Sequence, residues 1–245
     1  MFSCLRLFRS RKKENLADLT RRLYEERLGQ PMTERTDQYL RIRYERDGQL
    51  DFETYKAIQQ LGNVRKLKRV FASEEIIRLI SAYSLERIPS INLVLCHGTR
   101  NAAEQKYFRK YLGSEVSIIG TEISDTASQF PDTIQWDFHE VKDEWLGAAD
   151  IIYSNSWDHS YDPELLFRRW GDCLSPRGIM FLEHTKYHTP EEASILDPFG
   201  ITCPALVEML NKIGSGVFRV EEVMTELPER TWDRKLVVVR RTDCK

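Results

Sequence analysis

Ile91-Asn-Leu-Val-Leu-Cys-His-Gly-Thr-Arg-Asn101, followed by Ala102–Leu112 and then Val116-Ser-Ile-Ile-Gly-Thr-Glu122, is the stretch that decides the fold. An apolar run (Ile91, Leu93, Val94, Leu95) leads into a short polar turn containing Gly98. The turn opens into a segment with helical spacing, and a second apolar run (Val116, Ile118, Ile119) ends on Thr121-Glu122. A strand, a glycine turn, a helix and a strand closing on an acid form a nucleotide-binding βαβ unit. In such a unit the turn amides and the helix N-terminus can face an anionic group. The acid can accept both hydroxyls of a ribose.

Outward from this unit the pattern keeps alternating. Strands are expected at 91–96, 116–121, about 133–136, 149–154, 178–183, 217–224 and 235–241. Helices are expected near 102–112, 141–145, 163–174 and 204–213. Such alternation implies a mainly parallel sheet covered by helices on both faces. The last two strands, around Val217–Val220 and Leu236–Val239, have only a polar loop with Pro228 between them, which predicts an antiparallel hairpin at the sheet edge. Residues 14 to about 87 read as polar helices: Leu16, Leu19 and Leu23 share a face, as do Tyr55, Ile58 and Leu61. Thr33, Asp51 and Ser73 stand as N-caps. The chain therefore divides into a helical N-terminal extension, 1–87, and an α/β domain, 88–245.

Bulk properties exclude several classes. The 245 residues suffice for one α/β domain with additions, and 41% apolar with 30% charged residues is ordinary for a globular protein. A net charge of −2 carries no nucleic-acid signature. Residues 1–50 are locally basic, with 12 Lys/Arg against 8 Asp/Glu, but polar helices of this kind present solvated faces, so nucleic acid is not expected as a partner. No apolar run approaches the ~20 residues of a membrane span. Residues 1–13 combine five cations with Phe2, Leu5, Leu7 and Phe8, a weak membrane-surface contact at most. The five scattered cysteines form no CxxC pair and read as reduced thiols of a cytoplasmic protein.

Three further signals follow in order. Thr133–Phe138 is a short strand ending in Asp137-Phe138. Ala149–Ser154 is a strand that runs into the polar loop Asn155-Ser-Trp-Asp-His-Ser160. Leu174-Ser-Pro-Arg-Gly178 precedes another strand. With these in place, residues 91 to 241 resemble the class I S-adenosylmethionine-dependent methyltransferases. The resemblance implies an α/β fold with a seven-stranded Rossmann-like sheet and a reversed C-terminal hairpin, and S-adenosylmethionine as cofactor. It places the turn Cys96, His97, Gly98 and Thr99 under the cofactor's methionine part. Glu122 and Ile123 fall at the ribose, Asp137 and Phe138 at the adenine, and Asn155 and Ser156 near the sulfonium. The chain departs from the family at Val94, where an acid is usual, and at Cys96 and Arg100, where turn glycines are usual. Only Gly98 remains, which weighs more heavily against NAD, whose fingerprint needs all three.

Methyl transfer is an in-line displacement that depends on positioning, and a hydroxyl acceptor must also lose a proton. His159 and Asp158 are therefore the candidate catalytic pair, beside a reading in which they merely cap the helix starting near Asp162-Pro163. His184 and His188, four apart, raise a metal alternative with His159. They fall in what reads as a loop, so no metal is expected. Asp197 lies in a region that often lines the acceptor site. The acceptor is expected to be an oxygen or nitrogen of a small molecule or glycan. The alternatives are a catalytically inactive binding or scaffold protein on the same fold, and an NAD-dependent oxidoreductase.

Overall fold

The computed structural model describes residues 14–228 and 231–242. The basic segment 1–13, read above as a membrane-surface contact, lies outside them. Helix α1 (Leu16–Leu28) is followed by a hairpin of β1 (Met32–Arg35) and β2 (Tyr39–Arg43), then by a small ribbon, β3 (Glu45–Arg46) with β4 (Gln49–Leu50). Helices α2 (Phe52–Lys66) and α3 (Glu74–Arg87) complete this part of the chain. Asp51 and Ser73 cap them, accepting from the Thr54 and Ile76 amides. The N-terminal part is thus helical with an inserted hairpin that the sequence reading did not place. Thr33, expected as a cap, sits in β1.

The main sheet contains β5 (Leu93–His97), β6 (Ser117–Glu122), β7 (Thr133–Gln135), β8 (Ala149–Ser154), β9 (Leu174–His184), β11 (Phe218–Met224) and β12 (Lys235–Arg241). Between β9 and β11, the short β10 (Phe199–Ile201) leaves this sheet and pairs with β2. The order is β11-β12-β9-β8-β5-β6-β7. Strands β5 to β9 run parallel, and β12 is antiparallel to both β9 and β11. The expected reversed hairpin is present. Its last strand lies inside the sheet and β11 forms the edge. The Pro176/Gly178 segment lies inside β9, where the pairing jumps from Ala149–Leu174 to Ile151–Ile179. A Cβ at Gly178 would stand 2.5 Å from the Ala149 carbonyl, so only glycine fits this close approach.

Side-chain alternation splits the core in two. Leu95, Ile152, Met180, Leu182, Val237 and Val239 face α5 (Pro163–Cys173) and α6 (Cys203–Ile213), together with Trp157, Phe167 and Trp170. Val94, Cys96, Ile151, Tyr153, Phe181 and Val238 face α3 and α4 (Ala103–Leu112). The expected helix at 141–145 is a single 3-10 turn, Asp143–Trp145, that seats Trp145 in the first core. A third cluster (Tyr24, Ile42, Tyr44, Tyr55, Ile58, Ile195, Leu196) joins the N-terminal elements to the loop before β10. Four hydrogen bonds fasten the same elements down: Arg41 Nε to the Tyr161 carbonyl (2.9 Å), Tyr44 OH to that of Ile195, Tyr55 OH to that of His159 (3.0 Å), and Gln59 Nε2 to that of Leu196 (2.8 Å). The N-terminal part therefore sits over the loops that follow β8 and β9. No helix among the described residues is long and apolar enough to cross a membrane.

Candidate functional site

Strand order reverses at β5, which has β6 on one side and β8 on the other. In open α/β sheets, ligands sit at the carboxyl ends of strands where this happens. Gly98 follows β5 there with φ +76°, and a Cβ on it would stand 2.8 Å from Ser156 Cβ in the loop after β8. The left-handed φ and the close approach each require glycine. Two solvent-connected cavities meet at this point. The smaller, about 520 Å³, is lined by Gly98, Glu122, Ile123, Trp136, Asp137 and Phe138 from the sheet, and by Tyr55, Gln59, Asn63 and Lys66 from α2. The larger, about 1220 Å³, includes Phe71, Asn155, Asp158, Tyr187, Asp197 and Trp232. Lys66, Gly98, Arg100, Ser156 and His159 line both.

Glu122 ends β6 and is buried. Burial pushes its carboxyl up to about 7, against the opposing pull of the Ser124 amide, Arg100 and Asn63. Its Oε1 accepts from the Ser124 amide at 2.9 Å. Asn63 Oδ1 accepts from Thr126 Oγ1 at 2.8 Å, while its buried Nδ2 completes no hydrogen bond. A carboxyl with spare lone pairs beside an amide donor, in one aromatic-walled cavity, fits a polyhydroxylated, nucleoside-like ligand. Arg100, in the position of a turn glycine, holds its guanidinium over the Phe71 ring (4.9 Å to the centroid) between the two cavities. Burial lowers its pKa, and Glu122, Glu104 and Asp197 oppose this.

The other expected cofactor residues separate into two groups. Ile123, Phe138 and Ser156 line the smaller cavity, and Asn155 lines the larger. Cys96, His97 and Thr99 line neither, a correction to the sequence reading. The pleat of β5 turns Cys96 into the core, and burial raises its thiol well above the ordinary value. His97 stacks on Trp170 (4.5 Å), and burial holds it near a pKa of about 3. Thr99 Oγ1 lies 2.7 Å from Glu104 and 2.8 Å from Gln105. The amides of Gly98 and Thr99 both donate to the Thr121 carbonyl, each at 3.0 Å, so neither is free for an anion as the sequence reading supposed. Asp137 is largely occupied. Its Oδ1 accepts from the amide and ring of His139 (3.0 and 2.7 Å), and its Oδ2 from Tyr161 OH (3.0 Å). At most one of its roughly four acceptor positions remains for a ligand.

Asp158 and His159 lie on the 3-10 turn Trp157–His159. His159 Nδ1 contacts Gln59 Oε1 at 2.7 Å, and its Nε2 is 3.1 Å from Asp197 Oδ1. Burial lowers the His159 pKa, with Asp197 and Asp158 opposing. Each ring nitrogen of His159 thus has a polar neighbour within 3.1 Å. Asp158 differs: its buried Oδ1 has no hydrogen bond, and burial pushes its carboxyl up to about 7. Trp157 is fully buried and donates to the Glu183 carbonyl (2.8 Å), so it belongs to the core. The metal set His184, His188 and His159 does not converge. His184 Nε2 donates to the Ile201 carbonyl (2.8 Å), and His188 Nδ1 accepts from the Thr185 amide (3.0 Å).

The sequence allows the N-terminal helices to cover a cofactor, but it did not single out the α2 residues that line the smaller cavity. Tyr55, Gln59 and Asn63 lie four residues apart on the helix face that also carries buried Ile58 and Gly62. Two amides within a buried stripe were the available signal.

No protein-family model and no curated protein sequence matches the chain. Solved structures do match in fold. The 1,6-didemethyltoxoflavin-N1-methyltransferase of Burkholderia thailandensis, with bound 1,6-didemethyltoxoflavin and S-adenosylhomocysteine, superposes with TM-score 0.59 at 14% identity, over 87% of this chain and 99% of that one. The plantazolicin methyltransferase BpumL, in complex with a triazolic desmethylPZN analog and S-adenosylhomocysteine, gives TM-score 0.59 at 12% identity over 79% and 97%. A SAM-dependent methyltransferase from Aquifex aeolicus gives 0.52 at 13% over 72% and 97%.

Proposed function

From a chain whose fold is that of the class I S-adenosylmethionine-dependent methyltransferases, we propose that this protein binds S-adenosylmethionine and transfers its methyl group to an oxygen or nitrogen of a small molecule. The observation that carries the reading is the meeting of two cavities at the Gly98/Ser156 contact. Glu122 lies in one, and the unpartnered Asp158 oxygen borders the other. The smaller cavity combines aromatic walls with a few convergent polar groups, as small-molecule sites commonly do. Within it Glu122 receives the ribose hydroxyls, Phe138, Trp136 and Tyr55 wall the base, and Arg100 faces the amino-acid carboxylate. The cofactor supplies a methyl group on a positively charged sulfur. The chain's task is to hold the acceptor close to that carbon and in line with it. An acceptor hydroxyl must also lose a proton, and Asp158, whose carboxyl burial pushes up, lines the larger cavity where that acceptor would sit.

Isothermal titration with S-adenosylhomocysteine tests the reading, with micromolar binding expected. Folded protein that takes up neither this compound nor S-adenosylmethionine at millimolar concentration would sink it. One observation favours a second reading, a non-catalytic binding protein: the turn amides are spent on Thr121. That reading predicts that Glu122→Ala leaves the protein's biological role intact.

A further inference from the structure

On the wall of the larger cavity, three side chains bring lone pairs together. One carboxylate oxygen each of Asp158 and Asp197 and one ring nitrogen of His159 all lie within 4.8 Å of one another, and His159 Nε2 is 3.1 Å from Asp197 Oδ1. The state of His159 is set by its neighbours. Gln59 Nε2 donates to the Leu196 carbonyl at 2.8 Å, which turns Gln59 Oε1 toward the imidazole. That oxygen only accepts, so Nδ1 carries a proton and the neutral ring points the Nε2 lone pair at Asp197 Oδ1, 3.1 Å away. Two acceptors at this distance need something positive between them. A second proton on the ring would serve that pair alone. Asp158 Oδ1, in a residue only 7% exposed, would still have no hydrogen-bond partner. The nearest ring to it, His188, is 3.7 Å away and directs its Nε2 toward the Asn155 carbonyl (3.3 Å).

We propose that Asp158, His159 and Asp197 form a binding site for one divalent cation, which gives the three side chains a common partner. An imidazole with two carboxylates suits a first-row ion such as Mn²⁺ or Zn²⁺ better than Ca²⁺. Metal–ligand distances of about 2.0–2.2 Å place such donors about 3–4 Å apart, so the cluster closes on an ion with roughly 1 Å of side-chain movement. The surroundings complete the site. Gln59 fixes the ring through Nδ1, and Ser194 Oγ donates to Asp197 Oδ2 at 3.2 Å. Metal-binding imidazoles and carboxylates are usually held by such outer partners. Three protein ligands leave positions open toward the larger cavity, which Asp158, His159 and Asp197 all line.

Cation binding stands on this geometry alone. Its role rests on the methyltransferase reading and narrows it to hydroxyl acceptors able to ligate the ion. The bound hydroxyl loses its proton to solvent, because the ion lowers its pKa. An oxygen lone pair then forms the new O–CH₃ bond as the C–S bond breaks, and that electron pair stays on sulfur as a thioether.

The test uses full-length protein stripped with EDTA and titrated with Mn²⁺, following the loss of the free-ion EPR signal, with Zn²⁺ as competitor. One Mn²⁺ per chain is expected, with ¹⁴N coupling from a ligating imidazole in the spin-echo spectrum of unmutated protein. Asp197→Asn and Asp158→Asn should each weaken binding at least about 10-fold, and Gln59→Leu, which leaves the three ligands in place, by about 10-fold. Folded protein that binds neither ion at millimolar concentration would overturn the site. So would bound Mn²⁺ without nitrogen coupling, or folded Asp variants that bind like the parent. Titrating the same stripped sample with S-adenosylhomocysteine separates the two claims. Nucleoside binding without a cation refutes only this site, and cation binding without nucleoside refutes only the methyltransferase reading.

Discussion

Replacing Glu122 by Gln should move stability and ligand binding in opposite directions. The carboxyl is buried and its pKa is raised from the ordinary value near 4.5 to about 7. Between these values the folded chain holds a proton that the unfolded chain has released, so stability falls as pH rises through the window. The difference of about 2.5 units corresponds to about 3 kcal/mol of destabilisation at pH 8. Glutamine keeps the shape and cannot ionise. Urea denaturation of both proteins from pH 5 to 8 should therefore show the variant gaining about 2.5 kcal/mol on the parent across the range, with most of the gain complete by pH 7. Every other titrating group is common to both proteins and cancels in the difference. Binding should change the other way. The ionised carboxylate accepts ribose hydroxyls, and a hydrogen bond to a charged group contributes about 1.5–3 kcal/mol. The variant should thus bind S-adenosylhomocysteine about 10- to 100-fold more weakly at pH 8. Parallel stability curves would show that Glu122 is hydrated and unstrained. Unchanged affinity would remove it from the ribose site.

Three other substitutions probe separate parts of the site. Gly98→Ala places a side chain at φ +76° against Ser156 Cβ; it should cost about 1–2 kcal/mol in backbone strain alone, read by urea denaturation, and abolish measurable nucleoside binding in calorimetry. Arg100→Ala should weaken S-adenosylhomocysteine binding about 10-fold and leave 5′-methylthioadenosine, which lacks the carboxylate, unaffected; equal losses for both would refute the assignment. Asp150→Ala removes the acceptor for the Asn92 and Leu93 amides (2.7 and 3.2 Å) and for Ser175 Oγ (2.8 Å), far from both cavities. It should lower stability by about 2–4 kcal/mol in the same assay, without changing the affinity of the remaining folded protein for nucleoside.

The chain's own pattern determined the sheet. Alternating apolar strands separated by helical segments can bury their faces in few ways, and the period-two and 3.6-residue repeats are local properties that survive without knowledge of the partners. For the same reason the places of Gly98, Glu122 and Phe138 around one cavity were legible, because strand ends at a switch point are placed by topology. Tertiary structure alone decided the rest. Whether a turn side chain faces a ligand or the core depends on pleat and packing, which sent Cys96, His97 and Thr99 inward. The β1/β2 hairpin forms in a segment with helical flanks because β10 offers it an edge more than 150 residues away in sequence. The α2 wall of Tyr55, Gln59 and Asn63 exists only because that helix lies across the loops after β8 and β9. The pairing of Asp197 with His159 joins loops 38 residues apart. No local repeat encodes such meetings. They follow from the burial of the third apolar cluster, which brings the N-terminal elements over the mouth of the sheet.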